Sequence, residues 1–207
     1  MTLRLLRAEF LRLPTDYVLL GCLAMTAVLS VPSGGIAQPA FAATLYGVLR
    51  YVLDRRHGTL ARTVLIGHTT SALVAKAVAT ALCGGLLGIV GGACAAIARG
   101  TTWDFEILLG AILAAAVSAV IGLCFGVVIG NYFLAPVTAF GTFAGSALVL
   151  HLWPDIGQAL PFGAVMSLLT DGGTNLLSPP LAVIVLLAWV LMAGTVAWWS
   201  MTTRDLG

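Results

Sequence analysis

The sequence predicts an all-α membrane protein. It has six transmembrane helices, an N-terminal interfacial amphipathic helix and both termini in the cytoplasm. Three observations lead there. Hydrophobic residues make up 60% of the 207 positions and charged residues only 9%, with a mean hydropathy of +1.05, whereas soluble domains carry about 25% charged residues. Apolar runs close to the ~20 residues needed to cross a bilayer recur along the chain. Basic residues are also distributed one-sidedly over the segments between those runs, as the positive-inside rule requires.

The first fourteen residues precede the first apolar run. On a helical wheel Leu3, Leu6, Phe10 and Leu13 share one face, and Arg4, Arg7 and Arg12 fall on the other. That is the pattern of a helix lying in the membrane interface, apolar side in lipid and arginines toward headgroups. Pro14 separates it from the first span.

The expected spans cover 17–31, 36–53, 71–98, 107–129, 133–152 and 180–201. Pro32 and the Gly34-Gly35 pair break the first from the second. Gly100 to Asp104 separates the third from the fourth, and Asn131-Tyr132 links the fourth to the fifth. The segment 153–179 is longer, semi-apolar and punctuated by Pro154, Pro161, Gly172, Gly173 and Pro179. Within it PFGAVMSLL, starting at Pro161, is too short to span and is expected to form an interfacial or re-entrant helix. With the N-terminus in the cytoplasm, Arg4, Arg7, Arg12, Arg50, Arg55, Arg56, Arg62, Lys76 and Arg204 all fall inside and only Arg99 outside.

The densest polar stretch runs from Asp54 to Lys76 (DRRHGTLARTVLIGHTTSALVAK), between two long apolar runs. Charges at the bilayer centre cost several kcal/mol each, so this stretch, in particular 54–70, is a loop outside the membrane. Its arginines place it in the cytoplasm. Arg50 and Lys76, near the ends of their spans, are expected to snorkel toward water.

Glycines recur at four-residue spacing: Gly84, Gly88 and Gly92 in the third span, Gly122, Gly126 and Gly130 in the fourth, Gly141 and Gly145 in the fifth. Small residues on one helix face allow close backbone approach, whether as static packing or as a seam that slides. Cys22, Cys83, Cys94 and Cys124 lie in apolar runs without CxxC spacing and are expected to act as small packing residues.

The composition also excludes functions. No solvated basic domain exists to form a nucleic-acid footprint. The chain has no GxxxxGK[ST] phosphate loop, and Lys76, its single lysine, follows Ala75. His57, His68 and His151 are scattered, so no catalytic or metal constellation is visible. No acidic series crosses the membrane to serve as an ion relay. A cavity lined by Leu, Val, Ala, Phe, Thr and Ser would suit an apolar or amphipathic substrate.

The amphipathic helix, the six spans and the loop Asp54-Arg55-Arg56-His57-Gly58-Thr59-Leu60, with Arg62 after it and Lys76 opening the third span, resemble bacterial type-2 ABC-transporter permeases over essentially the whole chain. One departure is that His68 to Ser71 replaces a proline-bearing turn. The resemblance implies a permease subunit of an exporter in the cell membrane. It implies a coupling helix formed by Asp54, Arg55, Arg56, His57, Gly58, Thr59 and Arg62 that docks on a separate ABC ATPase subunit. It further implies a second permease copy or related chain, and no cofactor in this chain, ATP and magnesium being held by the ATPase. The same loop would equally serve a non-transporting membrane anchor that recruits a cytoplasmic partner.

Overall fold

The computed structural model describes residues 7–9, 11, 16–33, 37–57, 69–100, 105–169 and 176–203. Among them every regular element is a helix. In chain order these are α1 (Tyr17–Ser33), α2 (Gln38–Arg56), α3 (Thr69–Arg99), α4 (Phe105–Ile129), α5 (Leu134–Leu152), α6 (Pro154–Gly157), α7 (Pro161–Leu169) and α8 (Pro179–Thr203). Residues 7–9 and 11 are also helical. Of the amphipathic pattern at the N-terminus, Arg7 is exposed, while Leu3, Arg4, Leu6, Phe10, Arg12 and Leu13 lie outside the described residues.

Among the described residues four helices, α3, α4, α5 and α8, are long and apolar enough to cross a membrane, which makes this a multi-pass helical membrane protein. The other two expected spans differ for identifiable reasons. Helix α1 has 17 residues, about 25 Å at 1.5 Å per residue, short of a ~30 Å hydrocarbon core. Helix α2 has 19 residues but carries Arg50, Asp54, Arg55 and Arg56 in its last two turns.

Helix ends follow their local chemistry. The Asp16 carboxylate accepts hydrogen bonds from the backbone N–H of Val18 (3.1 Å) and Leu19 (3.2 Å), capping α1. The Asn131 side chain does the same for Phe133 and Leu134 before α5. Two prolines open α8, where the missing N–H costs nothing. Gly130 departs from the expected packing ladder. It stands beyond the last turn of α4 with φ +64° and donates its N–H to Gly126, so it terminates the helix in the left-handed region.

The core sits between α2, α3 and α4. Twelve of 25 residues of α4 and eleven of 19 of α2 are buried, against four of 25 in α8. A methyl group on Gly84 would stand 2.6 Å from the Ala115 carbonyl oxygen, and one on Gly88 would stand 2.6 Å from that of Ala111. Gly92 faces Leu108 at the same seam. On its other side α4 turns Gly122 against the Thr44 carbonyl and Gly126 against Val48, while Gly47 of α2 answers onto Ala119. Helix α4 is thus gripped on two faces at backbone distance. For Gly141 and Gly145 of α5, by contrast, no atom among the described residues comes within 4 Å of the space a Cβ would fill.

Helices α6 and α7 fold back against this bundle. The indole N–H of Trp189 donates to the Ala159 carbonyl at 2.9 Å. Trp189 lies ten residues into α8, about 15 Å along it, so the α6–α7 turn reaches midway down the bundle. Six of the nine residues of α7 are buried, which gives this irregular backbone protein rather than lipid for company.

Candidate functional site

The charges of this chain that matter most are inside it. Arg50 and Lys76 do not snorkel: they are 6% and 4% exposed. Helix α2 delivers Arg50, one turn above its polar C-terminal end, and α3 delivers Lys76, two turns in from its start. Both side chains turn inward toward Glu9, itself 6% exposed, from the N-terminal helical segment.

Arg50 donates through Nη2 to Glu9 Oε2 at 2.7 Å. Lys76 Nζ stands 3.7 Å from Glu9 Oε1 and pairs directly with the Asp54 carboxylate. The other guanidinium nitrogen, Nη1, donates to the Tyr46 hydroxyl at 2.8 Å and touches Cys83 Sγ at 3.6 Å. That hydroxyl in turn donates to Asp16 Oδ2 at 3.0 Å.

Three carboxylates thus meet two cations in one connected network. The excess negative charge lies on Asp16, whose other oxygen sits at the positive end of α1, where a carboxylate is favoured. A buried charge is tolerated only when paired and hydrogen-bonded, and each member here meets that condition. Removing one partner from such a pair costs about 3–5 kcal/mol. The network therefore fastens four pieces of chain, the N-terminal segment, α1, α2 and α3, at the end of the bundle from which the loop between α2 and α3 departs.

The residues expected to bind a partner distribute themselves along this geometry. Asp54 points inward to Lys76. Arg56 lies over the Tyr132 ring, 5.6 Å from its centroid, which ties the end of α2 to the turn between α4 and α5. The His57 ring meets the Leu53 carbonyl at 2.8 Å. Arg55 is exposed in the last turn of α2. Gly58, Thr59 and Arg62 lie outside the described residues, as does Arg4 and Arg12 of the interfacial pattern.

Sequence reasoning missed Asp16 and Tyr46 of this network and, most consequentially, Glu9. Its signal is faint: one acid among the arginines and leucines of an amphipathic segment, on neither the lipid-facing nor the arginine face. The chain matches no family model, no curated protein and no solved structure.

Proposed function

We propose that this chain is the membrane subunit of an ATP-driven exporter of the type-2 ABC permease kind, in the cell membrane. In this reading α1 to α5 and α8 are six spans, both termini are cytoplasmic, and α6–α7 is a re-entrant segment on the outer side. A separate ATPase docks on the loop between α2 and α3, and two permease chains work together. The substrate is apolar or amphipathic.

The observation that carries the reading is the buried network at the loop end. A loop that serves only as a tether needs no rigid attachment to the helices behind it. Here the residue that begins the loop's polar stretch, Asp54, is ionically fixed to Lys76 on the far side of the loop, and Lys76 shares Glu9 with Arg50. A push on the loop is therefore delivered to α2 and α3 together and to the N-terminal segment with them. Helix α4 follows, because its glycines and alanines grip both α2 and α3. Such packed elements move between discrete arrangements rather than deforming continuously. Arg55, exposed beside this network, is free to meet an acidic group on the ATPase.

The test is to purify the chain in nanodiscs with the ATPase that accompanies it and to measure Mg·ATP hydrolysis for wild type and Arg55→Glu. The reading predicts that the complex forms, that its hydrolysis depends on the permease, and that the charge reversal cuts this dependence by about tenfold or more, an interfacial charge pair being worth at least ~1.5 kcal/mol. Unchanged association and hydrolysis in the variant would count against a docking role for this surface.

A further inference from the structure

Midway along the bundle, away from the charged network, lies a cavity of about 220 Å³ between α4, α5, α7 and α8. Its wall is built from Ile121 and Phe125 of α4, Phe143 of α5, Pro161 of α7, and Trp189 and Met192 of α8. We propose that this cavity is a binding site for one acyl tail of a bilayer phospholipid.

Chemistry, depth and continuity all point to that occupant. The hydrogen-bonding groups at the wall are already engaged within the protein: the Thr142 hydroxyl donates to the Thr138 carbonyl at 2.8 Å, and the Trp189 indole donates to Ala159. The Cys124 thiol in the same wall behaves as a small hydrophobe. A ligand carrying polar groups would have to bury them there unpaired, at the cost of desolvation. Water is excluded for the same reason, since apolar cavities stay dry.

The depth is equally restrictive. Thr142 is near the middle of α5 and Trp189 near the middle of α8, so in a membrane the cavity stands level with hydrocarbon and not with headgroups. The cavity is open on the α8 side, where Met192 and Val196 line it while remaining 50% and 44% exposed. The surface beyond them continues outward as Leu187, Leu191 and Trp199, the face such a helix presents to lipid. Pro161 and Trp189, whose indole is held by the Ala159 carbonyl, form part of its wall. A cavity of about 150 Å³ accommodates benzene, so this one takes a longer stretch of chain. The occupied tail would brace the α6–α7 segment against α8.

The inference requires the bundle in a bilayer and no ATPase, so it stands or fails separately from the exporter reading. The probe is a phosphatidylcholine bearing a diazirine midway along one acyl chain, in nanodiscs with the full chain. After irradiation the labelled residues are mapped by mass spectrometry. Leu191, on the outer surface of α8, reports ordinary lipid contact. In wild type, labelling of Phe125, Trp189 and Met192 should exceed that of Leu191. Ala193→Phe, which fills the cavity from α8, should lower it by roughly tenfold, the worth of about two buried methylenes, with Leu191 unaffected. Thr142→Leu, filling it from the opposite wall, should do the same. Wall residues labelled no more than Leu191 in wild type overturn the proposal, whatever the variants do; so does labelling that persists in a folded, monodisperse variant.

Discussion

The two halves of this bundle solve the problem of helix association differently. Around α4, backbones touch: Gly84 and Gly88 of α3 and Gly47 of α2 meet carbonyl groups of α4, and Gly122 of α4 meets Thr44 of α2. In α5 and α8 the same kinds of residue face outward. Among the described residues nothing stands within 4 Å of a methyl group placed on Gly141, Gly145 or Gly194, and four residues of α5 and four of α8 are buried. In lipid, association between helices draws on close packing and interhelical polar contacts more than on a hydrophobic drive. The α2–α3–α4 half has both, glycine seams along its length and an ionic network at one end. The α5–α8 half has a cavity where a seam would be. The lesson is that identical four-residue spacing encodes a packed face in one helix and an unpacked one in another; partners, not spacing, decide.

Substitutions can break or sharpen that contrast. The largest effect belongs to the network. Arg50→Met takes from Glu9 its closer cation, leaving Lys76 at 3.7 Å, and should cost about 3–5 kcal/mol, read as a loss of thermal stability in detergent. The paired change Glu9→Leu with Arg50→Met should recover much of it, because exchanging a whole buried ion pair for apolar residues is often close to neutral. A double variant no better than the single would show that the pair's charges are not what the site requires.

Next comes the glycine seam. Gly122→Val places a branched side chain against the Thr44 carbonyl and should cost about 3 kcal/mol, the upper range for overpacking. A smaller contribution lies at the entrance of α1. Asp16→Ala removes two backbone hydrogen bonds and the acceptor for Tyr46 and should lower stability by about 1–2 kcal/mol. The smallest effect is the counterpart in the loose half. Gly141→Val adds the same side chain as Gly122→Val but into open space, and should change monomer stability by no more than about 0.5 kcal/mol. Equal effects at Gly122 and Gly141 would erase the distinction between the halves.

Much of the architecture was legible from the sequence because helices in lipid announce themselves locally. The run 107–129 anticipates α4 to within two residues, and a helix covers Pro161–Leu169, where a proline-opened apolar stretch is too short to span. The turn residues Gly100 and Asn131 stand at helix ends for their usual reasons. What was not legible was long-range. Glu9 meets Arg50 across 41 positions, and Lys76 meets Asp54 across 22. Nothing in the local pattern distinguishes an arginine that snorkels from one that turns inward to a carboxylate supplied by another segment. Gly130 continues the four-residue spacing but stands one residue past the end of α4, where its φ of +64° closes the helix.

The central claim is that motion of the loop between α2 and α3 reaches the helices through the Glu9–Arg50–Lys76–Asp54 network. The most direct test is spin-label distance measurement between two copies of this chain in the proposed complex with an ATPase, with and without bound ATP, in a Cys94→Ala background. One label replaces His57 at the loop, and a second sample carries it at Val74, exposed on α3. In wild type both distances should change together on ATP binding. With Lys76→Met, which removes the ties of α3 to Asp54 and Glu9, the His57 distance should still change while the Val74 distance no longer follows. If Val74 moves as far without the network as with it, the network is structural cement and coupling takes another route.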